Sequence, residues 1–159
     1  MNKIAQFFKI SEQEWEKTGN GKSYDSITLP IRKTKGSAGY DFIINTDTFI
    51  QPGGEILVPT GVRCKIDEGW VLCLVPRSGL GFKYGLHLTN TVGIIDSDYF
   101  NAKNEGHIMA KLHNPSDKYI ELKAGDGYMQ GVFLPFGITM DDDTNTIRVG
   151  GFGSTDASR

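Results

Sequence analysis

The sequence predicts an all-β fold, a sandwich, jelly roll or barrel, with one or two short helices. Three observations carry this. Short apolar segments recur at close spacing, and long helical periodicity is nearly absent. In addition, 20 glycines among 159 residues cluster between those segments, nearly twice the ~7% usual in proteins. Closely spaced strands divided by glycine- and proline-bearing turns point to two-layer or closed β architectures.

Taken in order, residues 11–17 open with Ser11 and carry Glu14 three positions on, the S-x-x-E pattern of a capping box, so one or two helical turns are expected. Residues 27–29, 40–44 and 55–58 are strand candidates. Between 62 and 66 the alternation is strict: Val62, Cys64 and Ile66 share one face, Arg63 and Lys65 the other. Residues 70–75 are apolar on both faces, as in a strand buried between layers. Residues 78–84 form a second expected helix, with Ser78 as its N-cap. Residues 108–112 alternate more loosely, and 119–122, 128–133 and 146–149 complete the strand set. Turn-forming residues lie at 51–54, 67–69, 114–117 and 123–127. No repeat or linker divides the chain, so 1–159 reads as one domain, with 150–159 a mobile tail poor in large apolar groups.

Composition excludes several classes. The charge balance of 17 Lys+Arg against 19 Asp+Glu gives −2, which argues against direct nucleic-acid binding driven by clustered cations. The longest apolar run is the stretch 70–75, far short of the ~20 residues of a membrane-spanning helix. The first residues show no basic stretch followed by an apolar one, so no secretory signal is expected. Two cysteines cannot build a disulfide scaffold, and a cytoplasmic setting is the default.

Four clusters could carry chemistry. Arg77, Ser78 and Gly79 follow the most apolar strand, where a helix start, a guanidinium and a side-chain-free backbone together suit an anion. Residues 90–99 combine a hairpin backbone able to read a flat base with Asp96 and Asp98, which would share a face if extended. Arg148, Phe152, Gly153, Ser154 and Thr155 offer a cation, hydroxyls and an aromatic ring among glycines, suited to phosphate and base. Residues 125–130 form a turn leading into a strand that carries Gln130. Alone, each is more readily an ordinary turn or cap. His87, His107 and His113 have no metal-ligand spacing along the chain. Asp141, Asp142 and Asp143 read as a solvated turn, and Cys64 and Cys73 as core residues.

In order, residues 38–42, 76–80, 90–99, 125–130 and 148–155 resemble the five motifs of the trimeric dUTPase family, over about residues 25–155. The resemblance implies a jelly-roll-like β-clip fold, a homotrimer with three active sites shared between subunits, and hydrolysis of dUTP to dUMP and pyrophosphate with Mg²⁺ on the triphosphate. By this resemblance Asp96 orients and deprotonates the attacking water, and Tyr99 lies under the deoxyribose. The backbone at Asn90, Gly93, Ile94 and Ile95 pairs with uracil, with Met109 in the same pocket. Arg77, Ser78, Gly79 and Gln130 hold the phosphates, and Asp41 meets Mg²⁺ through water. Phe152 covers the base, Arg148, Ser154 and Thr155 meet the γ-phosphate, and Gly153 belongs to the same substrate-binding segment. The expected partners are thus dUTP and two further copies of the chain.

Three departures stand out: Gly127 where the family usually has a basic residue, Asp156 where it usually has glycine, and a longer stretch at 100–105. That stretch is expected to be a solvent-exposed excursion that could meet a protein partner. Two other readings share the scaffold: a dUTP-binding regulator and a dCTP deaminase-like enzyme.

Overall fold

The computed structural model describes residues 2–19, 21–146, 148 and 150. Ten strands and two short helices follow in the order β1 (Ala5–Lys9), α1 (Glu12–Thr18), β2 (Tyr40–Ile43), β3 (Thr48–Ile50), β4 (Glu55–Ile66), β5 (Trp70–Pro76), α2 (Ser78–Tyr84), β6 (His87–Leu88), β7 (Gly93–Ile95), β8 (Ile108–His113), β9 (Ile120–Leu122) and β10 (Gly127–Pro135). Single 3₁₀ turns lie at Tyr24–Ser26 and Ser97–Asn101. Two four-stranded sheets, ordered β1-β4-β8-β6 and β2-β10-β5-β7, and the pair β3-β9 are antiparallel throughout.

One core joins both sheets. Val62, Cys64, Ile66, Ile108, Ala110 and Leu112 enter it from one, Phe42, Leu72, Leu74, Ile95 and Met129 from the other. The alternations read at 62–66 and 108–112 are therefore inward faces, and burial pushes the Cys64 thiol up to about 12. In β5 only Leu72 and Leu74 are fully inside; Val71, Cys73 and Val75 on the opposite face are half-buried. The expected two-sided burial is thus only partial within one chain.

Several boundaries differ from expectation, each for a local reason. Residues 55–58 and 62–66 form a single strand, β4, because a bulge between Pro59 and Val62 carries the chain past a residue that cannot donate to the ladder. Gly61 takes φ +72 there, its N–H donating to His107 Nε2, while Thr60 Oγ1 donates to the Ile108 carbonyl. Residues 27–29 form no strand: Ile27 is buried, but Pro30 interrupts the donors and only the bridge between Ile31 and Asp41 remains. Thr146 and Arg148 lie outside any strand, and Ile147 and Val149 lie outside the described residues.

Helix α1 forms where its capping box predicts. Ser11 is the N-cap and its hydroxyl accepts from Glu14 N–H at 3.1 Å. The reciprocal bond comes from elsewhere: Glu14 turns to Lys17, and Ser11 N–H donates to Glu105 at 2.7 Å. In α2 the N-cap is Arg77, not Ser78, and no side chain caps the end. The backbone is extended at Arg77 and turns helical only from Ser78 onward.

Candidate active site

Two groups of the sequence-predicted residues come together, at opposite ends of β5. At the end of β5 lies a polar pocket of about 440 Å³, lined by Lys33, Gly39, Asp41, Arg77, Ser78 and Gln130 among others. β10 places Gln130 opposite Asp41 on β2 and opposite Val75 on β5, so three strands converge on it. Asp41 is nearly buried and lies 3.3 Å from Lys33 Nζ and 3.6 Å from Arg77 Nε. Two cations around one carboxylate leave the pocket net positive, which suits an anion. Position 39 is glycine beside Gln130: a Cβ there would crowd Gln130 Oε1 and make that side chain shift. At Gly79 a Cβ would meet nothing within 4 Å, so the backbone lies open to close approach.

Gly127, the departure noted in the sequence, has a structural reason. A Cβ at 127 would lie 3.0 Å from Arg77 Nη1 and 3.4 Å from Asp41 Oδ2. Arg77 occupies that space and donates to the Gly127 carbonyl at 3.3 Å.

The second group surrounds the edge strand β7. Its backbone pairs with β5 on one side, Gly93 opposite Leu74 and Ile95 opposite Leu72. Gly93 is needed for that approach, since a Cβ would sit 3.0 Å from Leu74 Cβ. The Ile95 side chain belongs to the core and Ile94 projects outward. The ladder of β6 continues as Thr89 N–H donates to the Lys111 carbonyl, which carries the Asn90–Thr91 turn toward half-buried Met109. Thr91 sits at φ +69, a position strained for a β-branched residue.

Asp96 ends β7 and is the N-cap of the 3₁₀ turn, so it and Asp98 do not share an extended face. Both nevertheless reach one cation: Arg148 Nη2 lies 2.7 Å from Asp96 Oδ2, and Nε 3.0 Å from Asp98 Oδ1. The Arg148 guanidinium also stands 5.7 Å from the Tyr99 ring centre. Tyr99 is buried, donates to the His107 carbonyl at 2.8 Å and accepts from Asn104 at 2.8 Å. Burial raises its phenol pKa, opposed by the Asn104 bond.

The stretch 100–105 is only in part a solvent-exposed excursion. Ala102 is buried, Arg63 lies 3.7 Å over the Phe100 ring and donates to its carbonyl, and Glu105 holds Ser11. The apolar Phe100 and Ala102 are drawn inward against β4 and β1, while Asn101 and Lys103 stay exposed. Phe152, Gly153, Ser154, Thr155 and Asp156 lie outside the described residues. Lys33 was not anticipated from sequence, where its only trace is the basic run at 32–35; Thr91 lies within the 90–99 cluster without being singled out there. Among the described residues no helix is long and apolar enough to cross a membrane, and no group of three or more His, Cys, Asp or Glu is poised on a metal.

Comparison with known proteins fits the fold. The dUTPase family model matches residues 25–156. The deoxyuridine 5'-triphosphate nucleotidohydrolase of Lactococcus lactis is 42% identical over 135 residues, covering 82% of this chain and 89% of that protein. The crystal structure of a dUTPase from Streptococcus mutans matches with TM-score 0.68 and 40% identity, over 84% of this chain and 97% of that one. A dUTPase from phage phi11 of Staphylococcus aureus, at 19% identity and TM-score 0.66, covers 91% of this chain and 98% of its own and shares the fold. The jelly-roll-like β-clip fold is common to them, and the chain belongs to the dUTPase family.

Proposed function

We propose that the chain hydrolyses dUTP to dUMP and pyrophosphate at sites completed between copies of itself in a homotrimer. The observation that carries the shared site is the position of its two halves along β5. Asp96 follows Ile95, which pairs with Leu72, whereas Arg77 follows the far end of the strand. From Val71 to Arg77 is six residues, about 20 Å of extended chain. One copy therefore keeps its phosphate pocket far from its own carboxylate. A pocket from one subunit facing a β7 edge from a second brings them together.

In that arrangement Arg77, Ser78, Gln130 and Lys33 hold the phosphates, and the backbone of Gly79 approaches them. The outward edge of β7, with Asn90, presents N–H and C=O groups to the rim of uracil; Tyr99, fixed by His107 and Asn104, bounds the sugar. Asp96 takes a proton from the water that attacks the α-phosphorus in line, and the β-phosphate oxygen leaves with pyrophosphate. Cleavage of this kind depends on positioning and on charge neutralisation rather than on covalent help. Arg148 covers both Asp96 and Tyr99 in the single chain. We assign it a transfer to the γ-phosphate on closure of the 150–159 tail, where Phe152, Gly153, Ser154 and Thr155 would act; this transfer frees the carboxylate as substrate is enclosed.

The donor set of the pocket fits Mg²⁺ that arrives with the triphosphate. Among the described residues Asp41 is the one carboxylate lining it and is already flanked by Lys33 and Arg77, so a contact through water suits an ion that keeps its hydration shell. When bound, the ion supplies charge neutralisation to the phosphates. The phage phi11 enzyme coordinates a structural Mg(II) ion.

Product identity tests the reaction. Hydrolysis in ¹⁸O-water should place the label in dUMP, with pyrophosphate unlabelled. Label in pyrophosphate or in inorganic phosphate would mean attack at another phosphorus, and release of ammonia from dCTP would favour the deaminase reading.

A further inference from the structure

We propose that Lys33 is the residue that lets the pocket at the end of β5 hold a polyphosphate chain carrying no metal ion. The inference rests on the reading of that pocket as the phosphate site, and adds a ligand form and the side chain responsible for it. Lys33 lies outside the strands. A single bridge sets its place: Asp41 N–H donates to the Ile31 carbonyl at 2.8 Å and Ile31 N–H to the Asp41 carbonyl at 3.2 Å, which lays the chain before β2 alongside it. Past the bridge the loop closes on itself. Arg32 Nη1 donates to the carbonyls of Lys35 at 2.7 Å and Ser37 at 3.0 Å, and the hydroxyls of Thr34 and Ser37 share a bond of 2.5 Å. Arg32 is thereby engaged within the loop, whereas Lys33 reaches the pocket, its ammonium 3.3 Å from Asp41 Oδ2.

The surroundings leave this role to Lys33. Arg77 meets the other carboxylate oxygen, its Nε 3.6 Å from Asp41 Oδ1, and is tied to backbone through the Gly127 carbonyl. No cation enters from β10 on this side, because position 127 is glycine and a Cβ there would already stand 3.4 Å from Asp41 Oδ2. Among the described residues lining the pocket the charged ones are Lys33, Arg77 and Asp41. Two cations against one carboxylate leave a single net positive charge, and without Lys33 it falls to zero. The Lys33 side chain is about half exposed, so its ion pair with Asp41 is weak and the ammonium can exchange the carboxylate for a phosphate oxygen at little cost. A compact charge with three donors on a flexible stem suits that exchange. The need for it depends on the metal. A polyphosphate carrying Mg²⁺ arrives with two of its charges already balanced, and a hydrated ion can meet Asp41 through water. A bare chain brings its full negative charge, and the pocket's excess cation is then what holds it.

The test is calorimetric titration of the full chain with inorganic tripolyphosphate, which has no base to engage the β7 edge, in EDTA and again in excess Mg²⁺. In EDTA, Lys33→Gln should weaken binding about tenfold or more, while Lys33→Arg stays within about threefold of wild type. In Mg²⁺ the Lys33→Gln loss should shrink to about threefold or less. A loss of equal size in both conditions would mean that Lys33 only shapes the pocket through Asp41, and would overturn the proposal. So would equal affinity of wild type and Lys33→Gln in EDTA, or no binding by wild type there. Wild-type turnover of dUTP in Mg²⁺, measured alongside, separates this proposal from the reaction it rests on. Turnover with an unchanged Lys33→Gln affinity in EDTA removes the role of Lys33 and keeps the reaction. The expected tripolyphosphate pattern without turnover keeps the role of Lys33 and removes the reaction.

Discussion

Glu105 accepts two hydrogen bonds from Ser11, its Oε2 2.7 Å from Ser11 N and its Oε1 2.6 Å from Ser11 Oγ, across 94 residues of sequence. The contact ties helix α1, which lies before the span matched by the family model, to the segment that follows Asp96 and Tyr99. Glu105→Ala removes a helix cap and leaves Arg63 without its 3.9 Å carboxylate partner. A loss of about 1–2 kcal/mol is expected in urea unfolding. Because both residues serve one contact, Ser11→Ala/Glu105→Ala should cost little more than the larger single loss. Additive losses would show that the two act independently.

His107 gives a pH dependence of known sign. It is fully buried, accepts from Gly61 N–H through Nε2, and burial holds its pKa down at about 4 against an ordinary 6.5. Between those values the unfolded chain binds a proton that the folded chain refuses. Stability from this group is therefore complete above about pH 6.5 and declines as pH falls toward 4, by at most on the order of 3 kcal/mol. His107→Gln, which keeps an acceptor for Gly61, should flatten the slope in that window. An unchanged slope would assign it to other groups.

Asp96→Asn preserves size and hydrogen-bonding capacity but removes the base. Nucleotide affinity should stay within a few-fold while kcat drops by about 10²–10⁴. A near-normal kcat would reassign proton removal.

Placing a basic residue at position 127, where the family resemblance leads one to expect it, should harm this chain. Gly127→Lys places a Cβ 3.0 Å from Arg77 Nη1 and a second cation beside it, which displaces Arg77 from Asp41. KM for the nucleotide should rise about tenfold with kcat less affected, a pattern of lost ground-state binding. An unchanged KM would mean that the Arg77–Asp41 pairing has no part in holding phosphate.

The sequence made the fold class legible where one residue pattern governs one local structure. Alternation at Val62, Cys64 and Ile66 reports an inward face directly, and Ser11 with Glu14 reports a helix start. It was less legible where a contact is long-range. Strand β1 shows no alternation, because Phe7 and Phe8 both find aromatic partners, Phe7 beside Phe42 and Phe133, Phe8 beside Phe100. Position 127 reads as a missing cation until Arg77 is seen filling its space. The stretch 100–105 reads as a wholly exposed insertion until Glu105 meets Ser11, and His87 with His113 come together only through strand register.

The proposed pocket, pooled from separate copies, accepts uracil on a deoxyribose and cleaves at the α-phosphorus. Pyrophosphate release measured side by side with dUTP, dTTP, UTP and dCTP in Mg²⁺ tests it most directly. Turnover of dUTP should proceed with kcat/KM at least about a hundredfold above each of the others. Comparable turnover of UTP or dTTP, or tight dUTP binding without pyrophosphate, would contradict it.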